Sequence, residues 1–312
     1  MNLETIKIGT RGSQLALYQA EKVKESIENK YPNIAAEIVI IHSKGDKILD
    51  VALSKIGDKG LFTKELEEAM FRGEVDLAVH SLKDLPTLLP EGLKIGGVLP
   101  RGEVRDALVS AKGYQLKDLT PDMKIATSSL RRKAQLLKFN RNFNIIDIRG
   151  NVNTRLRKME EGYCDAMLMA ATGLQRIGLD KYISEILDIE NILPAVSQGA
   201  IAIETKIGDA DVDQVINGIN DELTFKTTNA ERIFLRKLEG GCQIPIGCFS
   251  IVDGENYTLK GFMAYVDGTN VLEHELSGKF SEADKIASEL ADYFISKGSK
   301  ELLDRIRNEN NS

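Results

Sequence analysis

The chain has 312 residues, enough for two or three domains and a substantial buried core. With 42% hydrophobic and 28% charged residues it is composed like a globular protein, and its apolar runs, such as 38–41 and 166–171, fall well short of the ~20 residues of a membrane-spanning helix. Lys and Arg total 41 against 47 Asp and Glu, a formal charge of −6, which argues against a general nucleic-acid binder.

In chain order, residues 6–10 read as a strand and 13–30 as a helix with Leu15, Tyr18 and Val23 near helical spacing. A strand at 37–41, a helix at 64–71 and a strand at 75–80 follow, before Pro86, Pro90 and Gly92 break the pattern and 93–99 runs extended. The alternation restarts after Pro100-Arg101-Gly102. Strands are expected at 107–110 and 124–127, a helix at 130–139, a strand at 144–148, a helix at 152–160 and a strand at 166–170. Such alternation predicts parallel sheets covered by helices, here as two α/β lobes meeting near residue 100, with a ligand cleft between them.

The last quarter differs. Extended runs at 249–252, 257–266 and 271–276 are separated by Asp253-Gly254 and Asp267-Gly268, both hairpin signals. A closing helix carries Ala283, Ile286, Ala287, Leu290, Ala291, Phe294 and Ile295, with Ser281 as its expected N-cap and Gly298 as its stop. This reads as a smaller α+β domain. The start, Met1-Asn2-Leu3-Glu4-Thr5, lacks a secretory pattern, and three cysteines suit a reducing compartment, so the expected location is the cytoplasm.

Basic residues cluster in Gly/Ser/Thr-rich stretches, which points to a small polyanionic ligand. Thr127-Ser128-Ser129-Leu130-Arg131-Arg132 lies at a strand-to-helix junction, where backbone N–H groups, hydroxyls and two guanidiniums make an anion site. A helix cap followed by a solvated basic face is the plainer alternative. The pattern recurs at Asp147–Asn151 with Arg155, and at Thr10-Arg11-Gly12-Ser13. Three such junctions, at the carboxyl ends of strands where α/β proteins bind ligands, call for a ligand with several carboxylates or phosphates. Neither a Gly-x-x-x-x-Gly-Lys-Ser/Thr loop nor a Gly-x-Gly-x-x-Gly turn is present, which disfavours ATP and dinucleotides.

After the strand at 75–80 comes His80-Ser81-Leu82-Lys83-Asp84-Leu85-Pro86. An ionised Asp84 there can stabilise a developing cation or exchange protons with a substrate, although a turn Asp before a proline is the commoner role. His42 and His80 have no partner at ligand spacing, and no metal site is expected. The stretch Lys55–Phe62 fits either a loop beside an anion site or an ordinary solvated loop. Cys242, in Glu239-Gly240-Gly241-Cys242-Gln243, sits on a loop after a helix, where a thiol can serve as nucleophile or attachment point. Cys164 and Cys248 read as buried structural residues.

These strings resemble the porphobilinogen deaminase (hydroxymethylbilane synthase) family. The most specific part is Glu231-Arg232 followed by Leu238-Glu239-Gly240-Gly241-Cys242-Gln243-Ile244-Pro245-Ile246-Gly247, similar to that family's cofactor-attachment signature. Segments 11–17, 60–67, 78–86, 127–132, 149–155 and 193–196 align in the same order. The resemblance implies a transferase of porphyrin and heme biosynthesis. It would join four porphobilinogen molecules head to tail with loss of ammonia, then release hydroxymethylbilane by hydrolysis. Growth would start from one dipyrromethane cofactor held by a thioether to Cys242. By the same resemblance Asp84 is catalytic, while Lys83, Ser129, Arg131 and Arg132 hold the cofactor. Substrate or growing chain falls to Arg11, Ser13, Gln19, Lys59, Phe62, Thr127, Arg149, Arg155, Arg176 and Gln198, with no metal.

The family fold implied is two periplasmic-binding-protein-like α/β lobes around a cleft plus a smaller C-terminal α+β domain. Its expected division is 1–99 with 198–220, then 100–197, then 221–312. Small-molecule substrate, a monomer, no nucleic acid and no membrane are the expected partners. Gln14, Asp58 and Ser197 depart from residues common in the family, Pro, Gly and Gly respectively. The rival of another class is a non-catalytic two-lobed anion-binding protein, which would need neither Asp84 nor the Gly-Gly-Cys loop.

Overall fold

The computed structural model describes residues 3–43, 63–238 and 244–310. The chain runs β1 (Thr5–Thr10), α1 (Gln14–Lys30), β2 (Ala35–Ile40), α2 (Lys64–Phe71), β3 (Leu77–Ser81) and β4 (Leu93–Val98). Next come β5 (Asp106–Val109), β6 (Lys124–Ala126), α3 (Leu130–Phe139), β7 (Asn144–Ile146), α4 (Val152–Glu160), β8 (Ala166–Ala170), α5 (Ala171–Gln175) and β9 (Ile183–Ile186). It continues through β10 (Ile201–Lys206), α6 (Ala210–Asn217) and α7 (Glu222–Lys237) to β11 (Ile246–Asp253), β12 (Asn256–Met263), β13 (Leu272–Lys279), α8 (Ala283–Ser296) and α9 (Ser299–Asn310). Among the described residues, 3–43, 63–102 and 199–226 form one compact unit, and 103–198, 227–238 and 244–310 the other.

The first unit is built on a sheet of order β2-β1-β3-β10-β4. Alternation in β1 turns Ile6 and Ile8 into the core, where Ala20, Val23 and Ile27 of α1 meet them at helical spacing. Ser13 caps α1 by accepting a hydrogen bond from the Ala16 N–H at 3.3 Å. β1 is parallel to β2 and β3, whereas β10 is antiparallel to both β3 and β4. The second unit repeats the plan in the order β7-β6-β8-β5-β9, with β6 parallel to β7 and β8, and β5 antiparallel to β8 and β9. Helical crossovers make the parallel strands that the alternation predicts. β10 and β5 enter their sheets from outside that alternation and run the other way.

The same second unit contains the antiparallel meander β11-β12-β13. Phe234 of α7 and Phe294 of α8 pack edge to face at 5.2 Å in its core. Two features of this region differ from expectation. The turn Phe280–Glu282 precedes α8, which has Glu282 rather than Ser281 at its N-cap position, and no side chain caps it. After Gly298, at φ 88°, the chain forms the further helix α9. Leu302, Leu303 and Ile306, a short apolar stripe in an otherwise polar stretch, bury that helix in the core it shares with α7, α8 and the meander.

Candidate active site

In the first unit the parallel strands deliver residues 11–13 and 82–84 to one end of the sheet. Leu82–Asp84 is a single tight turn closed by the Leu85 N–H on the Leu82 carbonyl, and it leaves Asp84 exposed and Lys83 half-buried. Gln19 is buried and donates from Nε2 to Ser81 Oγ at 2.8 Å, tying α1 to the strand that carries this turn. Because β10 is antiparallel, its beginning reaches the same end, where the Leu82 N–H donates to the Ala200 carbonyl at 3.0 Å. Arg11 is half-buried directly after β1. Lys59 and Phe62 lie outside the described residues.

Behind that turn, His80 Nε2 is 3.1 Å from Glu204 Oε2, with both groups buried. Glu67 of α2 is also buried. Burial, helped by the nearby Glu204 carboxylate, pushes its carboxyl above the ordinary glutamate range against the opposing pull of His80. Among the described residues no group of three or more His, Cys, Asp and Glu is placed to hold a metal.

In the second unit the junction after β6 has two tasks. Ser129 caps α3, accepting from the Arg132 N–H at 3.4 Å, and Thr127 Oγ1 accepts from the Ser129 N–H at 3.2 Å. Ser128 turns the other way, donating to the Ile148 carbonyl at 2.8 Å and accepting from the Ile148 N–H at 3.0 Å. It thereby links this junction to the one after β7. There Gly150, at φ 114°, makes a turn that a Cβ would block 2.5 Å from the Thr154 methyl. Asn151 caps α4, and Arg155 Nε donates back to the Gly150 carbonyl at 2.8 Å. Arg176 follows α5 and is half-buried.

Arg131 and Arg132 are only 4% and 7% exposed, and both meet a carboxylate that the sequence reading overlooked. Asp106 is fully buried at the start of β5; antiparallel pairing sets it opposite Ala170, at the carboxyl end of β8. Its Oδ2 accepts from Arg131 Nη2 at 2.8 Å, and its Oδ1 from Arg132 Nη2 at 2.7 Å and Gln198 Nε2 at 2.9 Å. Burial favours the neutral acid, but the two guanidiniums and the hydrogen bonds outweigh it and hold the carboxyl well below the usual range. Gln198 also donates to the Val104 carbonyl at 2.7 Å. The signal for Asp106 was the arginine pair itself: two buried guanidiniums on adjacent positions require a counter-charge.

α7 precedes Gly240-Gly241-Cys242 in the sequence, and Glu231 anchors this helix. This fully buried carboxylate accepts from the Ser197 N–H at 2.7 Å and the Ser250 N–H at 3.0 Å. Gly247 lies so close to Leu193 that a Cβ would stand 3.0 Å from its carbonyl, and the Cys248 N–H donates to the Pro194 carbonyl at 3.1 Å. Both ends of the signature are thus tied to residues 193–197. Cys242 itself lies outside the described residues. Cys164 and Cys248 are buried, and burial pushes the Cys164 thiol up to about 11, which leaves it unreactive.

Residues 6–214 match the family profile "Porphobilinogen deaminase, dipyromethane cofactor binding domain", and residues 225–296 match "Porphobilinogen deaminase, C-terminal domain". The chain belongs to the porphobilinogen deaminase family. It is 46% identical over 298 residues to the porphobilinogen deaminase of Geobacter metallireducens, covering 96% of this chain and 93% of that one. With the porphobilinogen deaminase of Desulfitobacterium hafniense the identity is 47% over 303 residues, covering 97% and 98%. Among solved structures, the methionine-binding protein MetQ aligns with a TM-score of 0.46 and 16% identity, over 72% of this chain and 93% of that one.

The cofactor of the porphobilinogen deaminase family is a dipyrromethane, and the described residues fit such a carboxylate-bearing group. Arg149 keeps Nε and Nη2, and Arg132 keeps Nε, buried without a hydrogen-bond partner among the described residues. Unanswered charged donors in the interior are costly unless an anion meets them. Burial also lowers the Arg149 pKa, opposed by Asp147, but an arginine remains charged at any physiological pH. Among the described residues no helix is long and apolar enough to cross a membrane.

Proposed function

We propose that this porphobilinogen deaminase family member condenses four porphobilinogen molecules head to tail with loss of ammonia and then releases hydroxymethylbilane by hydrolysis. The observation that carries the reading is the family match over nearly the whole chain, together with buried arginine nitrogens at 132 and 149 that have no hydrogen-bond partner among the described residues. Bound through Cys242, the dipyrromethane supplies a nucleophilic pyrrole carbon from which the chain is extended. Lys83, Ser129, Arg131 and Arg132 are the groups assigned to its acetate and propionate carboxylates.

Arg11, Arg149, Arg155 and Arg176 are assigned to the carboxylates of the incoming substrate and the growing chain, with Ser13, Gln19 and Thr127 as neutral partners. Guanidinium suits the task because its planar fork pairs bidentately with carboxylate. Lys59 and Phe62 keep the substrate roles expected for them. Gln198, whose amide nitrogen is engaged, serves the site through Asp106. Asp84 stands exposed on a turn held by backbone hydrogen bonds. As the C–N bond of porphobilinogen breaks and ammonia carries off the electron pair, positive charge spreads over the pyrrole, and the Asp84 carboxylate stabilises it. We place the enzyme in the cytoplasm as a monomer.

Intact mass of the denatured protein beside its Cys242→Ser variant tests the reading. The expected result is an excess equal to two linked porphobilinogen-derived units in the first and none in the second. A wild-type protein of bare polypeptide mass that porphobilinogen does not load would overturn the reading and favour a non-catalytic anion-binding protein. Asp84→Asn should retain the cofactor mass yet lose turnover by about 100-fold or more.

A further inference from the structure

Asp106 does more than neutralise its neighbours. Its two oxygens take one Nη2 from each of Arg131 and Arg132, at 2.8 and 2.7 Å. Each guanidinium has a second fixed point on the backbone: Arg131 Nη1 donates to the Leu193 carbonyl at 2.6 Å, and Arg132 Nη1 to the Leu168 carbonyl at 3.1 Å. With the side chain's own attachment as the third point, these two contacts fix each guanidinium plane. Gln135, one turn along α3 from Arg131, grips Leu193 on both sides, accepting from its N–H at 2.7 Å and donating to its carbonyl at 3.1 Å. Gln198 holds the carboxylate from the remaining direction at 2.9 Å. Among the described residues Arg132 Nε is the guanidinium nitrogen of this network that is buried with no hydrogen-bond partner at all.

The charges lead to the same place. Among the described residues, two guanidiniums against one carboxylate leave a single positive charge in a nearly water-free cluster. Without Asp106 the pair would repel and call for two anions; with a second carboxylate it would call for none. We infer that Asp106 is a positioning residue that fixes both guanidinium planes and sets the cluster to accept one ligand carboxylate, received at Arg132. The inference rests on the reading that Arg131 and Arg132 serve the cofactor.

The test follows loading of cofactor-free protein by porphobilinogen through intact mass, with the thermal midpoint measured before and after. Asp106→Glu keeps the charge and displaces the fork by one methylene; loading should slow about 10- to 100-fold, the worth of one misaligned charged hydrogen bond. The double variant Asp106→Asn with Arg131→Met restores the single net positive charge without the fork. It should regain most of the thermal midpoint lost by Asp106→Asn alone while loading stays slow. Wild-type loading rates in Asp106→Glu, or in the double variant, would overturn the proposal and leave Asp106 as a charge balance only. Failure of the wild-type protein to load at all would instead defeat the cofactor reading beneath it.

Discussion

The two units share one strand plan and fill it with opposite buried charge. In the first, behind the Asp84 turn, one histidine pairs with Glu204 while a second buried carboxylate, Glu67, lies within their electrostatic reach. In the second, two guanidiniums share the single carboxylate of Asp106. The same architecture therefore carries an anion-rich interior in one place and a cation-rich interior in the other. A strand plan supplies strand ends, and the residues placed there decide which charge they attract.

Removing Asp106 should break this contrast most severely. Asp106→Ala leaves two guanidiniums buried without their counter-ion, and urea unfolding should show a loss of about 3–5 kcal/mol. Glu204→Gln in the first unit should cost less, about 1–3 kcal/mol by the same measurement. That carboxylate already has one buried oxygen, Oε1, without a hydrogen-bond partner among the described residues. A loss at Glu204 equal to that at Asp106 would remove the asymmetry.

Ser197 offers a gain instead. It adopts φ 62°, and its buried Oγ has no hydrogen-bond partner among the described residues. Ser197→Gly should raise stability by about 1 kcal/mol, seen as a higher thermal midpoint. The smallest effect is a pH slope that separates the two clusters. Asp106 has a lowered folded-state pKa, so its contribution is full above the unfolded aspartate value and is lost only as pH falls through the lowered one. Glu67 has a raised pKa, so its contribution is full below the unfolded glutamate value and is lost as pH rises through the raised one. Glu67→Gln should therefore gain stability relative to the parent as pH rises across that window, in thermal melts at stepped pH. A flat difference would show that Glu67 does not titrate abnormally.

Much of this was legible beforehand, for definite reasons. The helices 64–71, 130–139 and 152–160 stand at the predicted residues because local signals bound them: Gly73, at φ 70°, follows the end of the first, Ser129 and Asn151 are the N-caps of the other two, and Gly150 makes the turn before the last. Long-range pairings were not legible. Asp106 was missed because the strand read from 107 onward leaves it outside, and only antiparallel pairing with β8 brings it to the arginines. Glu231 stood in a recognisable signature, yet its task of holding the Ser197 and Ser250 N–H groups belongs to residues 34 and 19 positions away. The short strand β9 is ordered by its pairing with β5 rather than by periodicity of its own, whereas α6 did carry a signal, with Val212, Val215 and Ile216 at helical spacing behind Asp209, whose side chain accepts from the Val212 N–H.

The place of β10 has a consequence for how the protein is made. This strand lies between β3 and β4, yet it leaves the ribosome only after residues 103–198 have been synthesised. Until then the nascent first unit carries two unjoined strand edges, open to pairing with another chain. The stretch 103–198, by contrast, contains every strand of its own five-stranded sheet. Vectorial synthesis therefore favours closure of the later sheet before the earlier one, and a ribosome stalled near residue 200 would present the less finished half of the molecule to chaperones.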